Sequence, residues 1–275
     1  MVSVRKFVHD EPALFKASQE FVAMFRTVED PIVSVARRAD TPTARVAWVL
    51  LGTSLFQDRG YPEMVALMEA LFAKFPNEKL WTLPVPTGSE IESVVESVFG
   101  SRNWSVFEHV AGIFWSVGLF VRRHPDLTAW AGSRTPEEMW RDLGEIYFMG
   151  KSNPRPKACA AIYRIVSPSP IGLGVPCSDF RKMPPLPLTM GGRRFLAILG
   201  PAKESGFSNL EPAEKQDLAN KFFSALNPGD PYAAAHSMQF FLETGAGDFV
   251  CREKTCMCDR CPLYEFCGYA VQRRK

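Results

Sequence analysis

The chain has 275 residues, of which 46% are hydrophobic and 23% are charged, and its formal net charge is +2. This composition is that of a globular protein with a sizeable core, and it excludes a small disulfide-stapled domain, which lacks one. The longest apolar run, residues 46–56, is interrupted by Gly, Thr and Ser and is too short to span a membrane. Because the N-terminal stretch has no continuous apolar run of the kind a signal peptide needs, we expect a cytosolic protein with no membrane partner.

The spacing of apolar residues is helical along the chain. In residues 61–75, apolar side chains recur at steps of three and four, as shown by Met64, Leu67, Met68, Leu71, Phe72 and Phe75. Thr135 and Glu138 form a capping box around Pro136, which predicts a helix start. Since no segment alternates as a strand does, the predicted fold class is all-α. Helices are predicted over 61–75, 103–121, 135–146, 156–166, 211–226 and 231–245.

One long irregular segment, residues 167–192, separates the middle helices from the C-terminal ones. It contains six prolines and several glycines, which argue against a long helix within it. Its length exceeds what compact domains usually leave without secondary structure. The segment is therefore predicted to be a domain crossover or a functional loop.

Five of the seven cysteines lie within residues 251–267, in the stretch CREKTCMCDRCPLYEFC. In a cytosolic protein, clustered cysteines usually hold a metal. A tetrahedral zinc site commonly uses two close pairs, whereas this stretch has one CxxC pair, Cys258 and Cys261. Four thiolates on a compact loop also suit a cubane iron–sulfur cluster. Spacing alone therefore favours iron–sulfur over zinc and leaves both open.

The pattern C-x6-C-x2-C-x5-C resembles the iron–sulfur loop of endonuclease III and the adenine glycosylases, which belong to the helix-hairpin-helix superfamily of DNA glycosylases. The resemblance implies a [4Fe–4S] cluster, and the spacing selects four cysteines as its ligands, Cys251, Cys258, Cys261 and Cys267. It leaves Cys256 as an extra thiol. In the family the cluster is mainly structural and redox-sensitive, and the loop between its first two cysteines contacts DNA phosphates. Arg252 and Lys254 occupy that loop here.

The order of predicted helices is similar to the two-domain endonuclease III architecture along nearly the whole chain. The resemblance implies a six-helix domain over residues 40–178 with a divergent helix-hairpin-helix. It also implies a cluster domain formed by residues 1–39 together with 179–275. Double-stranded DNA is then expected in the groove between the domains, with the protein acting as a monomer. A bacterial member would be nucleoid-associated.

The hairpin is where the sequence departs from the family. The family's stretch reads like LPGVG-x-K-T-A, and its glycines let backbone amides approach a phosphate. Residues 143–165, LGEIYFMGKSNPRPKACAAIYRI, offer an apolar start, Gly150, two lysines and a helix, but not the family's spacing. The first choice for the catalytic lysine is Lys157, directly before Ala158. Lys151, after Gly150, is the second choice, and either lysine can also be an ordinary phosphate contact.

A carboxylate that assists departure of the base lies, in the family, in a stretch like V-D-T-H-I-x-R-V. The best match here, LTMGGRRFLAIL (188–199), places Thr189 at the aspartate position. Threonine cannot carry the negative charge that stabilises a developing cation. Asp179, in the irregular segment, is the alternative carboxylate. Gln57, about three residues out of register, is the candidate for the family's glutamine that fills the gap left by an extruded base.

Charge is distributed unevenly. Residues 141–205 contain ten Lys/Arg against four Asp/Glu, and residues 251–275 contain six against three. Basic stretches of this kind suit a phosphate-binding face, and equally a solvated surface. The predicted DNA contacts are Gln57, Gly150, Lys151, Arg193, Arg194, Arg252 and Lys254.

Three function hypotheses follow from the sequence. The first is a base-excision enzyme, a DNA N-glycosylase with or without abasic-site (AP) lyase activity, in which Lys157 and Asp179 carry the chemistry. The second is a non-catalytic iron–sulfur DNA-binding paralogue, favoured by the missing LPGVG and VDTH motifs. The third is a zinc-binding interaction module that does not bind nucleic acid.

Overall fold

A computed structural model describes residues 8, 10–26, 28–76, 81–150, 155–180, 188–198, 210–238, 251 and 257–267. The secondary structure within these ranges is helical and contains no β-strand, so the all-α prediction is confirmed. None of the helices in these ranges combines the length and the apolar character needed to traverse a bilayer.

The chain divides into two compact units. One consists of Glu29–Pro184 and the other of Met1–Val28 with Pro185–Lys275. We name them the central unit and the terminal unit, after their places in the sequence. The boundaries predicted from the sequence were 40 and 178. Residues 29–39 belong to the central unit because the helix Pro31–Ala36 packs against the next two helices of that unit.

Twelve α-helices lie within the described residues, numbered here in chain order. Those of the central unit are α2 Pro31–Ala36, α3 Pro42–Leu55, α4 Tyr61–Lys74, α5 Gly88–Phe99, α6 Val110–Arg123, α7 Leu127–Gly132, α8 Pro136–Asp142 and α9 Pro156–Val166. Those of the terminal unit are α1 Pro12–Arg26, α10 Met190–Ile198, α11 Pro212–Leu226 and α12 Pro231–Ser237. Short 3₁₀ turns cover Phe107–His109, Leu143–Glu145 and Cys258–Arg260.

Local capping signals set several helix starts. The Thr135 hydroxyl accepts a hydrogen bond from the Glu138 amide at 3.2 Å, and the Glu138 carboxylate accepts one from the Thr135 amide at 2.7 Å. The predicted capping box is therefore confirmed, with Pro136 at the first helical position. The helix α8 ends at Asp142, earlier than predicted, because the chain tightens into the 3₁₀ turn that follows.

The helix predicted over 103–121 begins later, at Val110. Trp104 donates a hydrogen bond from its indole nitrogen to the carbonyl oxygen of Gln57 at 2.7 Å. This contact holds the start of the predicted segment against the loop that follows α3. The chain enters α6 only after the 3₁₀ turn Phe107–His109.

Helix α3 forms the centre of the central unit. Its residues are buried along almost its whole length, and α2, α4, α6, α7 and α9 all pack against it. A Cβ at Gly52 would lie 2.5 Å from the sulfur of Met68, so α3 and α4 approach closely at that point. A helix buried on every side reads as continuously apolar, as residues 46–52 do.

A buried ion pair connects α9 to the start of α2. The Nε of Arg164 lies 2.8 Å from Oδ2 of Asp30, and both side chains are at most 2% exposed. The same guanidinium donates to the Tyr61 hydroxyl at 3.0 Å and to the Thr53 hydroxyl at 3.4 Å. The other carboxylate oxygen of Asp30 caps α2 by accepting from the Ile32 amide. One network therefore connects four helices of the central unit.

The terminal unit has an aromatic core. Helices α11 and α12 pack against each other, and both pack against α1. The ring of Phe195 stacks on that of Phe21, with centroids 5.6 Å apart, and on that of Phe223, at 6.3 Å. These contacts hold α10 within the same core.

Replacing Asp30 by Asn is expected to lower the free energy of unfolding by about 3–5 kcal/mol, because the charge of Arg164 stays buried without its counter-ion. Asparagine keeps the side-chain oxygen that caps α2, so the loss reports the ion pair. Urea denaturation followed by circular dichroism measures it. Glu29→Gln is the matched control, because that carboxylate pairs with Arg37 and is half exposed; the expected loss is below about 1 kcal/mol. Equal losses in both variants would contradict the role assigned to the buried pair.

Candidate active site

Lys157 lies in the first turn of α9, and its amine reaches α3. Arg155 precedes the helix in the left-handed conformation, with φ of +46°, and Pro156 takes the first helical position, which its fixed φ suits. The Nζ of Lys157 donates a hydrogen bond to the carbonyl oxygen of Ser54 at 2.7 Å. Ser54 belongs to the last turn of α3. The amine therefore lies where the start of one helix meets the end of another.

The environment of Lys157 favours the neutral amine. Burial lowers its pKa from 10.5 to about 8, although the charge of the Asp58 carboxylate acts in the opposite direction. The partial positive charge at the N-terminus of α9 also disfavours an ammonium in the first turn. With a pKa of about 8, roughly a tenth of the amine is neutral at pH 7, against less than about 0.1% for an ordinary lysine. The amine can therefore act as a nucleophile at physiological pH.

Aromatic side chains border the amine on one side. The Nζ of Lys157 lies 5.2 Å from the ring centroid of Phe148. That ring is 5.2 Å from the ring of His109 and 5.0 Å from the ring of Tyr147. The Tyr147 hydroxyl lies 3.1 Å from Nδ1 of His109. The backbone amide of Tyr147 donates a hydrogen bond to the Ser116 hydroxyl at 3.0 Å. The result is a fixed aromatic cluster in which Tyr147 is exposed.

The loop after α3 brings a carboxylate to the site. Asp58 has φ of +55°, and its carboxylate accepts hydrogen bonds from the Ser105 hydroxyl and from the side-chain amide of Gln57. The indole of Trp104 donates to the Gln57 carbonyl oxygen, which ties the loop to the segment before α6. The carboxylate whose charge acts on Lys157 is thus held by residues from two parts of the chain.

Backbone strain is concentrated around this site. Among the described residues, three residues other than glycine have positive φ, namely Asp58, Phe148 and Arg155. Phe148 places its ring next to the Lys157 amine, the charge of Asp58 acts on that amine, and Arg155 lies two residues before Lys157. Such conformations cost of order 1 kcal/mol or more each and tend to occur at functional sites. The positions of these three residues support a functional interpretation of the Lys157 neighbourhood.

The segment predicted as a divergent hairpin packs around Arg155. Its guanidinium lies 4.3 Å from the ring of Trp140 and donates to that residue's carbonyl oxygen at 3.0 Å. A Cβ at Gly144 would lie 2.4 Å from this guanidinium. Gly150 has φ of +100°, and a Cβ there would approach the Cα of Arg155 at 3.2 Å. At Gly150 the positive φ would strain any other residue, whereas at Gly144 a Cβ would have to displace the Arg155 guanidinium.

The structure brings two of the predicted site residues into one neighbourhood. Lys157 bonds to the last turn of α3, and Gln57 follows that turn directly. Gly150 lies in the short segment between the aromatic cluster and α9. The second-choice lysine, Lys151, lies outside the described residues.

Asp179 lies in a segment that follows the C-terminal end of α9. The Asp179 amide donates a hydrogen bond to the Cys177 thiol. The amide of the preceding residue, Ser178, donates to the Arg134 carbonyl oxygen. The ring of Phe180 lies 6.4 Å from that of Tyr163, in the second half of α9. The structure therefore ties this segment to parts of the central unit other than the first turn of α9, and the carboxylate acting on Lys157 is that of Asp58.

Thr189, at the position where the family has aspartate, caps α10. Its hydroxyl accepts a hydrogen bond from the Gly192 amide at 3.0 Å, and its carbonyl oxygen accepts one from the Arg193 amide at 2.9 Å. The first turns of α10 present Arg193 to solvent, whereas Arg194 is half-buried. The predicted basic turn at 191–194 is therefore part of a helix of the terminal unit.

The cysteine stretch is organised by tight turns where it is described. The Cys261 amide donates to the Cys258 carbonyl oxygen at 3.2 Å, and the Tyr264 amide donates to the Cys261 carbonyl oxygen at 3.0 Å. Leu263 and Cys267 are buried, whereas Cys251, Cys258 and Cys261 are half-buried. Arg252 and Lys254 lie outside the described residues.

Within those parts of the chain that are described, no group of three or more His, Cys, Asp or Glu side chains is gathered so as to hold a metal ion. The donor set of the cysteine stretch is nevertheless four thiols, the ligand type that iron–sulfur clusters and structural zinc sites use. The chemistry of these residues therefore fits a metal group.

Comparison of the chain with protein-family models, with curated proteins and with solved structures found no significant match. The candidate site comprises the amine of Lys157, the carbonyl oxygen of Ser54, the carboxylate of Asp58 and the ring of Phe148.

Sequence reasoning missed Asp58, Ser105 and His109 as members of the site. Asp58 stands next to Gln57 in the stretch SLFQDRG, and an aspartate followed by Arg-Gly after a helix is a signal for a left-handed turn. Ser105 and His109 join the site through contacts with residues more than thirty positions away. No local pattern indicates such contacts.

Lys157→Met is expected to raise the free energy of unfolding by about 1–3 kcal/mol near pH 7, because the folded state holds the ammonium in a place that disfavours it. Below about pH 8 the amine is protonated in both the folded and the unfolded protein, so the free-energy cost of burying the ammonium does not change with pH. Between about 8 and 10.5 the unfolded state binds more protons, so the stability of the wild-type protein rises with pH. The advantage of Lys157→Met should therefore fade near pH 10. Urea denaturation of both proteins at the two pH values gives the measurement.

Lys221→Met is the control for that experiment, since Lys221 is exposed on α11. Its substitution should change stability by less than about 0.5 kcal/mol at either pH. An equal destabilisation by Lys157→Met at both pH values would show that the folded protein does not disfavour the charged form of the Lys157 amine.

Proposed function

We propose that this protein acts on double-stranded DNA in base excision, as a DNA N-glycosylase with or without AP lyase activity, and that its substrate carries a damaged or modified base. The observation that carries the proposal is the amine of Lys157, whose pKa of about 8 leaves it partly neutral at physiological pH. The resemblance of the cysteine pattern to the endonuclease III loop supports the same conclusion. Together they support, among lysine-dependent reactions, attack on a deoxyribose carbon.

The chemistry asked of Lys157 is the formation of a Schiff base with the sugar. The neutral amine attacks the carbon that bears the base, or the aldehyde carbon of an abasic site. The first turn of α9 suits this task, because burial and the helix N-terminus both disfavour the ammonium. Ser54 holds the amine in one orientation through its carbonyl oxygen at 2.7 Å. Asp179 is the carboxylate that the sequence assigns to departure of the base.

Contacts with DNA phosphates are assigned to the basic segments. Residues 141–205 carry an excess of six positive charges, ten Lys/Arg against four Asp/Glu. Proposed contributors from the sequence are Gly150, Lys151, Arg193, Arg194, Arg252 and Lys254, and Gln57 is proposed to fill the gap left by an extruded base. The exposed position of Arg193 supports its inclusion.

A second candidate function is that of a non-catalytic DNA-binding paralogue. The observation that favours it is the use of Thr189 as the cap of α10. A threonine engaged in this way supplies no negative charge at the position where the family has its aspartate. Under this alternative the protein binds DNA without forming a covalent intermediate.

Borohydride reduction of the protein mixed with a duplex that contains an abasic site is expected to give a covalent protein–DNA adduct. The adduct should fall to background in Lys157→Ala and in Lys157→Arg, because neither side chain offers a neutral amine. Its yield should rise with pH through a midpoint of about 8, as the amine loses its proton. Gel electrophoresis of the reduced mixtures measures the yield.

Two controls belong to this experiment. Lys151→Ala tests the second-choice lysine and should still form the adduct, as should Lys221→Ala, which removes an exposed amine. Binding of wild-type protein to the abasic duplex without any adduct would leave base removal without lyase chemistry, to be tested on duplexes that carry damaged bases, and no activity on those duplexes would favour the non-catalytic paralogue. Loss of both binding and adduct would contradict the proposal.

We also propose that Cys251, Cys258, Cys261 and Cys267 hold a [4Fe–4S] cluster. Four thiolates match the ligand requirement of that cluster. A backbone turn, closed by the hydrogen bond from the Cys261 amide to the Cys258 carbonyl oxygen, keeps the central pair of cysteines together. When bound, the cluster would supply a redox-sensitive structural centre for the C-terminal stretch. A zinc site is the alternative that the same thiols permit.

Protein purified without oxygen is expected to be brown and to contain iron and acid-labile sulfide. Cys258→Ser should lose colour and iron, because it removes a ligand. Cys159→Ser is the matched control, since burial raises the pKa of that thiol to about 12 and keeps it protonated. Metal analysis that finds zinc in a colourless protein would overturn the cluster proposal.

A further inference from the structure

We infer that an exposed face of α6 is the interface through which two copies of this chain associate as an antiparallel dimer with two-fold symmetry. This face, called here the α6 face, lies on α6 and on the 3₁₀ turn directly before it. Its residues are Glu108, Ala111, Trp115, Leu119 and Arg122. The inference does not depend on the proposed function, and it departs from the monomer that the family resemblance implies.

Exposed apolar side chains are concentrated at this part of the surface. Among the described residues, three of the five exposed large hydrophobic side chains lie on α6 or in the segment beside it. Trp115 and Leu119, four residues apart on α6, are 46% and 55% exposed, and Leu83 is 78% exposed. Single exposed apolar residues are common, whereas a contiguous group of them marks an interaction site.

The segment that carries Leu83 runs along α6. The guanidinium of Arg122 donates to the carbonyl oxygen of Trp81 at 3.2 Å, and the indole of Trp115 donates to that of Pro86 at 3.4 Å. Leu83 lies between these two anchored positions in the chain. Its exposed side chain therefore adds to the apolar surface next to the α6 face.

Opposite charges stand at the two ends of the α6 face. Glu108 is exposed in the 3₁₀ turn before the helix, and Arg122 is exposed in the last turn. Neither side chain forms an ion pair with another residue in the described part of the chain. Each end of the face therefore presents a charge that an opposite charge on a second molecule can pair with.

The spacing of the α6 face is the same when it is read in either direction. The steps from Glu108 through Ala111, Trp115 and Leu119 to Arg122 are three, four, four and three residues. Such steps keep side chains on one side of a helix. In an antiparallel pair with its two-fold axis at Trp115, the two indoles meet, Leu119 faces the small Ala111 of the second copy, and Arg122 faces its Glu108. The face is therefore complementary to itself in both size and charge.

Other occupants fit this face less well. DNA phosphates would meet the carboxylate of Glu108 at one end and two large apolar side chains at the centre. A second copy, by contrast, matches the arrangement of charges through symmetry alone. One helix face with a flanking segment is small for a protein interface, so we expect a dissociation constant of about 1–100 μM.

The test is sedimentation velocity of the full chain at concentrations from about 1 to 300 μM, which bracket that expectation. The wild-type protein should pass from monomer to dimer. Arg122→Glu should weaken the dimer by about 10- to 100-fold, because it sets two glutamates against each other at both ends of the interface. Glu108→Arg should have the same effect with two arginines. The double variant restores opposite charges, so its dissociation constant should return to within about threefold of the wild-type value.

Two further variants complete the experiment. Leu119→Asn should weaken the dimer by at least about 10-fold, because it removes apolar contact near the centre. Arg141→Glu is the matched control, since it reverses an exposed charge on α8 of the same unit and should leave dimerisation unchanged. A circular dichroism spectrum that matches that of the wild type excludes unfolding as the cause of any dissociation.

Three results would count against the inference. A wild-type protein that stays monomeric at about 300 μM would overturn it. A dimer that persists in Arg122→Glu, Glu108→Arg and Leu119→Asn would place the contact on another surface. A double variant that dissociates as readily as the single ones would contradict the antiparallel pairing of Glu108 with Arg122.

Discussion

The central unit depends on the buried guanidinium of Arg164. Its partners come from the start of α2, from α3 and from α4, so its hydrogen bonds fix α9 relative to all three helices. Burial disfavours the charged form of Arg164. The carboxylate of Asp30 and the hydroxyl of Tyr61 outweigh burial, so the pKa of Arg164 is raised. A buried pair of this kind is expensive to break and gives little net stability, so its contribution is to specify one arrangement of helices.

The same network positions the candidate site. Arg164 and Lys157 are seven residues apart on α9, about two helical turns, so both project toward the same side of the helix. Arg164 bonds to Thr53 and Lys157 bonds to Ser54, adjacent residues of α3. The contact that specifies how α9 lies on α3 therefore also determines where the amine is held.

At the amine itself, burial prevails over the effects that favour the ammonium. Burial and the N-terminus of α9 disfavour the ammonium, whereas the carbonyl oxygen of Ser54, the charge of Asp58 and the ring of Phe148 favour it. A lysine buried with no such partners has a pKa far below neutrality, and an exposed one keeps a pKa near 10.5. The intermediate value of about 8 leaves the side chain able both to bind anions and to act as a nucleophile.

Local rules predicted the parts of the fold that are determined locally. The capping box at Thr135 and the helix after Pro156 depend on residues within one turn, and both were read from the sequence. The boundary at residue 28 was missed, because α2 joins the central unit through Asp30 and a partner 134 residues away. The late start of α6 has a similar cause, since Trp104 bonds to the loop after α3.

For the candidate site, the sequence pointed to Lys157 but not to its surroundings. Lys157 was selected by its place before Ala158 and a helix, in a stretch that departs from the family's spacing. Its depressed pKa arises from burial against α3, which no spacing reveals. Asp58 is next to Gln57 in the sequence, yet its relation to Lys157 exists only because α3 and α9 pack together.

The central claim is that Lys157 is the amine that reacts with the sugar. The most direct measurement is peptide mapping by mass spectrometry of the borohydride-reduced adduct between the wild-type protein and an abasic-site oligonucleotide. The account predicts that the mass of the reduced sugar is found on Lys157. Its presence on Lys151, or on any other amine, would contradict the account.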